Sequence, residues 1–176
     1  MNTIFTLLPI LILTAFYFVQ LPADMDQAKN DLSVSIKNLR SAPTSVVIDD
    51  RSLSLSADPW RDFMPGTVST PDGSPMTVVL RVSTSDKKPF PREVRIDRAW
   101  VVFGEQVWET SEFRHLKTPG KDSWIECSDA PMCEATARGG PKWGPDVLVD
   151  VVVRLTDKEG RHHLLQVKKQ TVIATQ

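Results

Sequence analysis

The stretch VDVVVRLTDKEGRHHLLQVKK, residues 149–169, carries the strongest structural signal in the chain of 176 residues. A period of two in apolar residues is the pattern of a strand with one buried face. The apolar face of this strand consists of Val147, Val149, Val151, Val153 and Leu155. Residues 157–160 predict a turn, because Gly160 accepts the positive φ that a turn needs at this place. Residues 161–173 return as the partner strand, so the region is predicted to form a β-hairpin.

Residues 94–103, upstream of the hairpin, predict the central strand of a sheet, because both faces of this segment are apolar in its second half. One face carries Trp100 and Val102, and the other carries Val101 and Phe103. Gly104 and Glu105 predict a tight reversal into a partner strand at residues 106–109.

Three further segments alternate apolar and polar residues, at 32–37, 52–57 and 76–82. After residue 32 we find no apolar stripe of helical period, so the domain is predicted to be all-β. About 7–9 short strands separated by Pro and Gly turns are typical of an antiparallel β-sandwich.

The closing hairpin at residues 149–169 resembles the F–G hairpin that ends immunoglobulin-like and fibronectin-III-like modules. This resemblance implies an Ig-like sandwich for residues 32–176. It implies no activity, because one fold supports many functions.

The N-terminal stretch IFTLLPILILTAFYFVQL begins at Ile4, ends at Leu21 and contains no charged residue. A helix of this length reaches about 27 Å, close to the thickness of a bilayer core. We therefore expect residues 1–23 to form a single-pass transmembrane anchor in contact with lipid, followed by a polar linker at 24–31. Aromatic rings near the end of the span are predicted to lie at the membrane interface: Phe16, Tyr17 and Phe18.

A cleaved signal peptide is the alternative for this stretch. The first basic side chain is Lys29, the apolar run is long, and a cut after Ala23 would place Leu21 at the minus three position. These features favour an uncleaved anchor. The long C-terminal domain is then expected on the extracytoplasmic, periplasmic side.

Two proline-containing segments interrupt the strand pattern, and we predict long loops at 58–75 and 117–145. Long loops in a compact domain commonly fold over the core or bind a partner. One interpretation is that their large apolar residues cover the open ends of the sandwich. The other is that they contact a partner protein, since such residues are enriched at interface centres. The candidates are Trp60, Phe63, Met64, Trp124 and Trp143.

Cys127 and Cys133 flank a short segment, which in an exported domain predicts a structural disulfide. The alternative is a soft-metal site formed by both cysteines and Met132, as in a copper-handling domain. No histidine lies within the segment to complete a familiar copper site.

The composition and motifs argue against several functional classes. The net charge is −1, whereas a nucleic-acid-binding protein normally carries a strong basic excess. His162 and His163 are adjacent on a strand and point to opposite faces, and His115 is isolated. The sequence contains no zinc, haem, P-loop or G-x-S-x-G motif. We therefore expect neither an enzyme nor a cofactor-binding protein.

The sequence favours a non-catalytic accessory subunit that stabilises a larger membrane complex through its helix and its sandwich. Its partners would be other subunits, and photosynthetic or respiratory electron-transfer complexes are the suggested hosts. A copper-handling periplasmic domain and a secreted or cell-surface binding module are the alternatives.

Overall fold

The computed structural model describes residues 34–64, 71–115, 118–122, 124–127 and 130–175. These residues form one short helix and twelve strands, eleven of them paired antiparallel and β12 pairing parallel. In chain order they are α1 (Ile36–Arg40), β1 (Ser45–Ile48), β2 (Arg51–Asp62), β3 (Met76–Thr84), β4 (Val94–Phe103), β5 (Gln106–Thr110), β6 (Phe113–His115), β7 (Thr118–Asp122), β8 (Ile125–Cys127), β9 (Met132–Gly140), β10 (Leu148–Thr156), β11 (His162–Thr171) and β12 (Ile173–Thr175).

The strands form two sheets, which confirms the all-β, two-sheet prediction. The first sheet has the order β1-β2-β3-β9-β6-β7, with β12 paired to β2. The second has the order β11-β10-β4-β5, with β8 paired to β4. The strand count exceeds the predicted 7–9 because several strands of three to five residues lie in segments without clear alternation.

The main core consists of the inward side chains of both sheets. Leu53, Leu55 and Ala57 of β2 alternate inward as the sequence predicted. Leu80 of β3 and Val151 of β10 are fully buried in the same cluster. A strand turns alternate side chains to the same face, which is why the period of two located this core correctly.

The predicted hairpin and central strand are confirmed. β10 pairs with β11 from Leu148 to Thr156, and Gly160 in the connecting turn has φ +78°. β4 lies between β10 on one side and β5 and β8 on the other. Both faces of β4 are buried, as its apolar residues on both faces indicated.

The N-terminal end of the described domain differs from the strand predicted at residues 32–37. Residues 36–40 form α1, and the hydroxyl of Ser35 accepts a hydrogen bond from the backbone N–H of Asn38 (3.3 Å) as an N-cap. Leu39 is fully buried against Trp100 and Val152 on the outer face of the second sheet. Such a short helix contains only one turn, so its period could not be recognised in the sequence.

The predicted loops also contain more strand than expected. β2 continues through Asp58 to Asp62, and β7, β8 and β9 lie within the predicted loop at 117–145. Proline is tolerated in a strand where its nitrogen faces an unpaired edge. Pro59 lies between the two stretches of β2 that pair with β1 and with β12.

The predicted anchor, including Phe16, Tyr17 and Phe18, lies outside the described residues. No helix within the described ranges has the length and apolar character needed to cross a membrane. The membrane anchor therefore stays a prediction from the sequence.

Candidate functional site

The outer face of the first sheet brings together side chains from four strands. Trp60 of β2 is paired in register with Thr77 of β3, and Thr77 is paired with Arg138 of β9. In the neighbouring row, Thr136 of β9 is paired with Arg114 of β6. Residues directly opposite each other in a sheet project from the same face. One tryptophan and two arginines that are distant in sequence therefore share one surface.

A cleft of about 250 Å³ lies at the β6–β9 end of this face. Arg114 and Arg138 are exposed, whereas Thr136 between them is nearly buried. The lining consists of Glu112, Phe113, Arg114, Thr136, Arg138 and Gly139. We call this feature the arginine cleft.

The arginines of this cleft differ in their pairing from Arg81 on the same face. Arg81 forms ion pairs with Asp58 and with Glu134, whose Oε2 lies 2.6 Å from its Nε. The hydrogen bond to Asp58 is the main cause that raises the pKa of Arg81; burial opposes this increase, and Glu134 adds to it. Arg114 and Arg138 form no ion pair with another residue of the described ranges. Both side chains are exposed and line the cleft.

Two of the predicted partner-contact residues are accessible near the end of β2. Trp60 is half-buried and projects outward from the strand. Met64, just after the strand, is 45% exposed. Both residues can contact a partner without unfolding the domain.

Phe63 and Trp143 have packing roles. The guanidinium of Arg61 lies 4.9 Å from the centroid of the Phe63 ring, and a Cβ at Gly73 would meet that ring at 2.6 Å. Trp143 packs against the main core, with its ring centroid 5.6 Å from that of Phe103. These contacts agree with the interpretation that some loop aromatics cover the ends of the sandwich.

Trp124 belongs to a different surface. It is 43% exposed, and the guanidinium of Arg95 lies 5.7 Å from the centroid of its ring. It lines a cleft of about 150 Å³ with Glu93, Arg95, Glu126, Asp157 and Lys158. The five predicted contact residues therefore do not form one patch.

The predicted disulfide between Cys127 and Cys133 is present, with the two Cα atoms 5.1 Å apart. Cys127 belongs to β8 and Cys133 to β9, so the bond joins the second sheet to the first. A copper site at these sulfurs would first require reduction of the bond. Met132, the third proposed ligand, is about half exposed. The described residues contain no cluster of three or more His, Cys, Asp or Glu side chains able to hold a metal.

Replacing Cys127 and Cys133 by serine is expected to lower the free energy of unfolding by about 2 kcal/mol. The physical reason is the short loop that the bond closes in the unfolded chain. Urea denaturation of the oxidised wild type and the double variant measures this difference. Reduced wild type should match the variant, and a loss below about 0.5 kcal/mol would contradict the loop-entropy argument.

The histidines of β11 take part in hydrogen bonds near the hairpin turn. Nε2 of His163 lies 2.9 Å from Oδ2 of the buried Asp157, and Nδ1 of His162 lies 3.0 Å from the hydroxyl of Thr156. Asp157 also accepts bonds from the backbone N–H of Arg161 and from its guanidinium, at 2.9 and 2.8 Å. These bonds fix the turn, and the two rings have separate partners, as expected for adjacent strand residues.

Stability is expected to depend on pH through Asp157. Burial tends to raise the pKa of this carboxyl, but the hydrogen bonds from His163 and Arg161 outweigh burial and lower it far below 3.8. A lowered folded-state pKa contributes stability that is complete above the unfolded value and is lost as the pH falls toward the folded value. Asp157→Asn is therefore expected to cost about 1–2 kcal/mol at pH 7 and to flatten the loss of stability below pH 3.8.

Urea midpoints measured at several pH values between neutrality and strong acid test this dependence. Asp50→Asn is the matched control, because Asp50 is exposed in the turn between β1 and β2. Equal acid sensitivity in the Asp157 variant and the wild type would contradict the assignment.

The sequence did not identify Thr136, Arg114 and Arg138 as site residues. Arg114 and Arg138 are separated by 24 positions and lie on strands whose pairing no local motif predicts. The only signal in the sequence was that each of these residues occupies an outward position in a short segment of alternating apolar and polar residues.

Comparisons of the chain with protein-family models, curated proteins and solved structures find no match.

Proposed function

We propose that this protein is a non-catalytic accessory subunit of a larger membrane complex, anchored by residues 1–23. Its sandwich would lie on the periplasmic side and contact other subunits. The uncharged stretch at 4–21 supports the anchor. The outer face of the first sheet carries the proposal, because it presents Trp60 together with two arginines that have no ion pair within the described chain.

The chemistry of this face is suited to protein recognition. Tryptophan and arginine are the residue types most enriched among those that dominate binding energy at interfaces. Here these side chains project from paired strands whose backbone is already ordered. Binding therefore costs little backbone conformational entropy. A photosynthetic or respiratory electron-transfer complex is the proposed host.

We also propose that the sandwich is Ig-like, as the closing hairpin suggested. The order β2-β3-β9-β6 in one sheet and β11-β10-β4-β5 in the other corresponds to strands A-B-E-D and G-F-C-C′ of that fold. β7 and β8 would then be an insertion between strands D and E.

The native mass of the protein after gentle extraction from its own membranes tests the proposed function. We expect it to migrate in a large assembly, with residues 1–23 attached and defined subunits identified by mass spectrometry. A single particle near its own 19.7 kDa would contradict the accessory role. A soluble protein with a cleaved N-terminus would instead support the secreted or cell-surface binding module.

Replacing Trp60 by alanine is expected to weaken assembly by about 2 kcal/mol, or roughly thirtyfold, because a tryptophan at an interface centre contributes this much. Trp124→Ala is the matched control, since Trp124 is accessible but lies on another surface. The fraction of each variant found in the assembly, measured at equal expression, tests the expected weakening. Equal losses in the two variants would contradict a specific role of Trp60.

A further inference from the structure

We propose that the arginine cleft, formed by Glu112, Phe113, Arg114, Thr136, Arg138 and Gly139, binds the carboxylate of an acidic segment in a partner protein. This inference rests on the proposed function, because it specifies the chemistry of the partner. It concerns one end of the outer face of the first sheet.

Geometry allows both guanidinium groups to contact one ligand. Arg114 is paired with Thr136, and Arg138 lies two residues further along β9. Such diagonal neighbours are about 7–8 Å apart, within the reach of long side chains. Arginine presents a planar set of donors that matches a carboxylate, and the hydroxyl of Thr136 between them adds a further donor.

Charge supports an anionic ligand in the cleft. The lining contains two guanidinium groups and one carboxylate, Glu112, so positive charge is in excess. An acidic side chain of a partner complements this excess.

The rest of the face supports a protein as the source of the carboxylate. Trp60 and Arg138 are separated by one strand, so their backbones lie about 10 Å apart at the usual strand spacing. A segment crossing the strands could place an apolar side chain against Trp60 and an acidic one in the arginine cleft. This pairing of an aromatic anchor with a charged contact is typical of interface centres.

Binding of acetyl-Glu-Glu-amide to the full-length chain in a neutral detergent tests the proposal. NMR signals of the arginine Nε–H groups report the contact directly, and acetyl-Gln-Gln-amide is the uncharged control probe. We expect saturable shifts at Arg114 and Arg138 with the acidic probe alone, weakening as salt screens the charges. Each Arg→Gln variant should bind about tenfold more weakly, because charge-assisted hydrogen bonds are lost.

Arg92→Gln is the matched control, since Arg92 is exposed in a turn and does not line the cleft. Unchanged binding by R114Q/R138Q would overturn the proposal even if the protein is extracted in a large assembly. Conversely, a lone extracted particle would count against the accessory role while leaving a positive binding result intact. Tighter binding of inorganic phosphate, or of phosphatidylglycerol vesicles, than of the acidic probe would overturn the choice of a protein carboxylate.

Discussion

Replacing Arg61 by methionine is expected to lower the free energy of unfolding by about 3–5 kcal/mol, because a buried acceptor that loses its donor costs about 1–3 kcal/mol. Arg61 is only 2% exposed and donates hydrogen bonds to four backbone carbonyls. Its acceptors are the carbonyls of Asp72, Ser74 (2.9 Å), Lys142 (3.0 Å) and Gly144 (2.5 Å). One side chain therefore joins the segment after β2 to the segment before β10.

Urea denaturation followed by tryptophan fluorescence measures this loss. Arg51→Met is the matched control, because Arg51 pairs with Asp86 at the surface and such pairs contribute at most about 1 kcal/mol. Arg61→Lys should be intermediate, since an ammonium group cannot reach all four carbonyls. A methionine variant within 1 kcal/mol of the wild type would contradict the proposed role.

Replacing Trp100 by alanine is expected to cost about 3–5 kcal/mol, as large-to-small changes at buried aromatic residues do. Trp100 is 1% exposed and lies between the outer face of the second sheet and α1, in contact with the cluster that contains Leu39 and Val152. Its loss would leave a cavity that the short helix cannot fill. Chemical denaturation measures the change in stability.

Leu39→Ala tests separately whether α1 is docked on the second sheet. We expect a loss of about 2–4 kcal/mol, because Leu39 is fully buried. Hydrogen exchange should then increase in residues 34–43 before it increases in β4. Trp124→Ala, at an exposed tryptophan, should cost less than about 1 kcal/mol. If Leu39→Ala lowers the free energy of unfolding as little as Trp124→Ala does, then α1 does not depend on the Leu39 contact.

The Arg61 prediction bears on the proposed function, because the strand that presents Trp60 must be held rigidly to be effective. Arg61 follows Trp60 directly near the end of β2. The hydrogen bonds from its guanidinium to four backbone carbonyls therefore hold the strand that presents Trp60. α1 and Trp100 belong to a separate cluster on the outer face of the second sheet.

The fold was predictable where burial follows a simple period. β4 and the β10–β11 hairpin were located from apolar alternation and from Gly160, because both signals depend on a few adjacent residues. The disulfide was predictable from the spacing of its two cysteines. The anchor and the accessory role stay predictions.

The candidate site was only partly predictable. Trp60 was recognised by residue type, but Arg114 and Arg138 become neighbours only because β6 pairs with β9. The burial of Arg61 was also hidden, since an arginine in a proline-containing segment is expected to be exposed. Its carbonyl partners come from two separate segments of the chain.

The sequence by itself determined the strand character of the domain, its strongest hairpin and the disulfide, because these depend on local periodicity, turn chemistry and short spacing. The tertiary structure alone decided that residues 36–40 form a helix, that Arg61 is buried, and that Trp60 shares a face with the arginine cleft. The physical reason is that each of these features depends on contacts between segments distant in sequence. Such contacts are set by the order of strands in the two sheets.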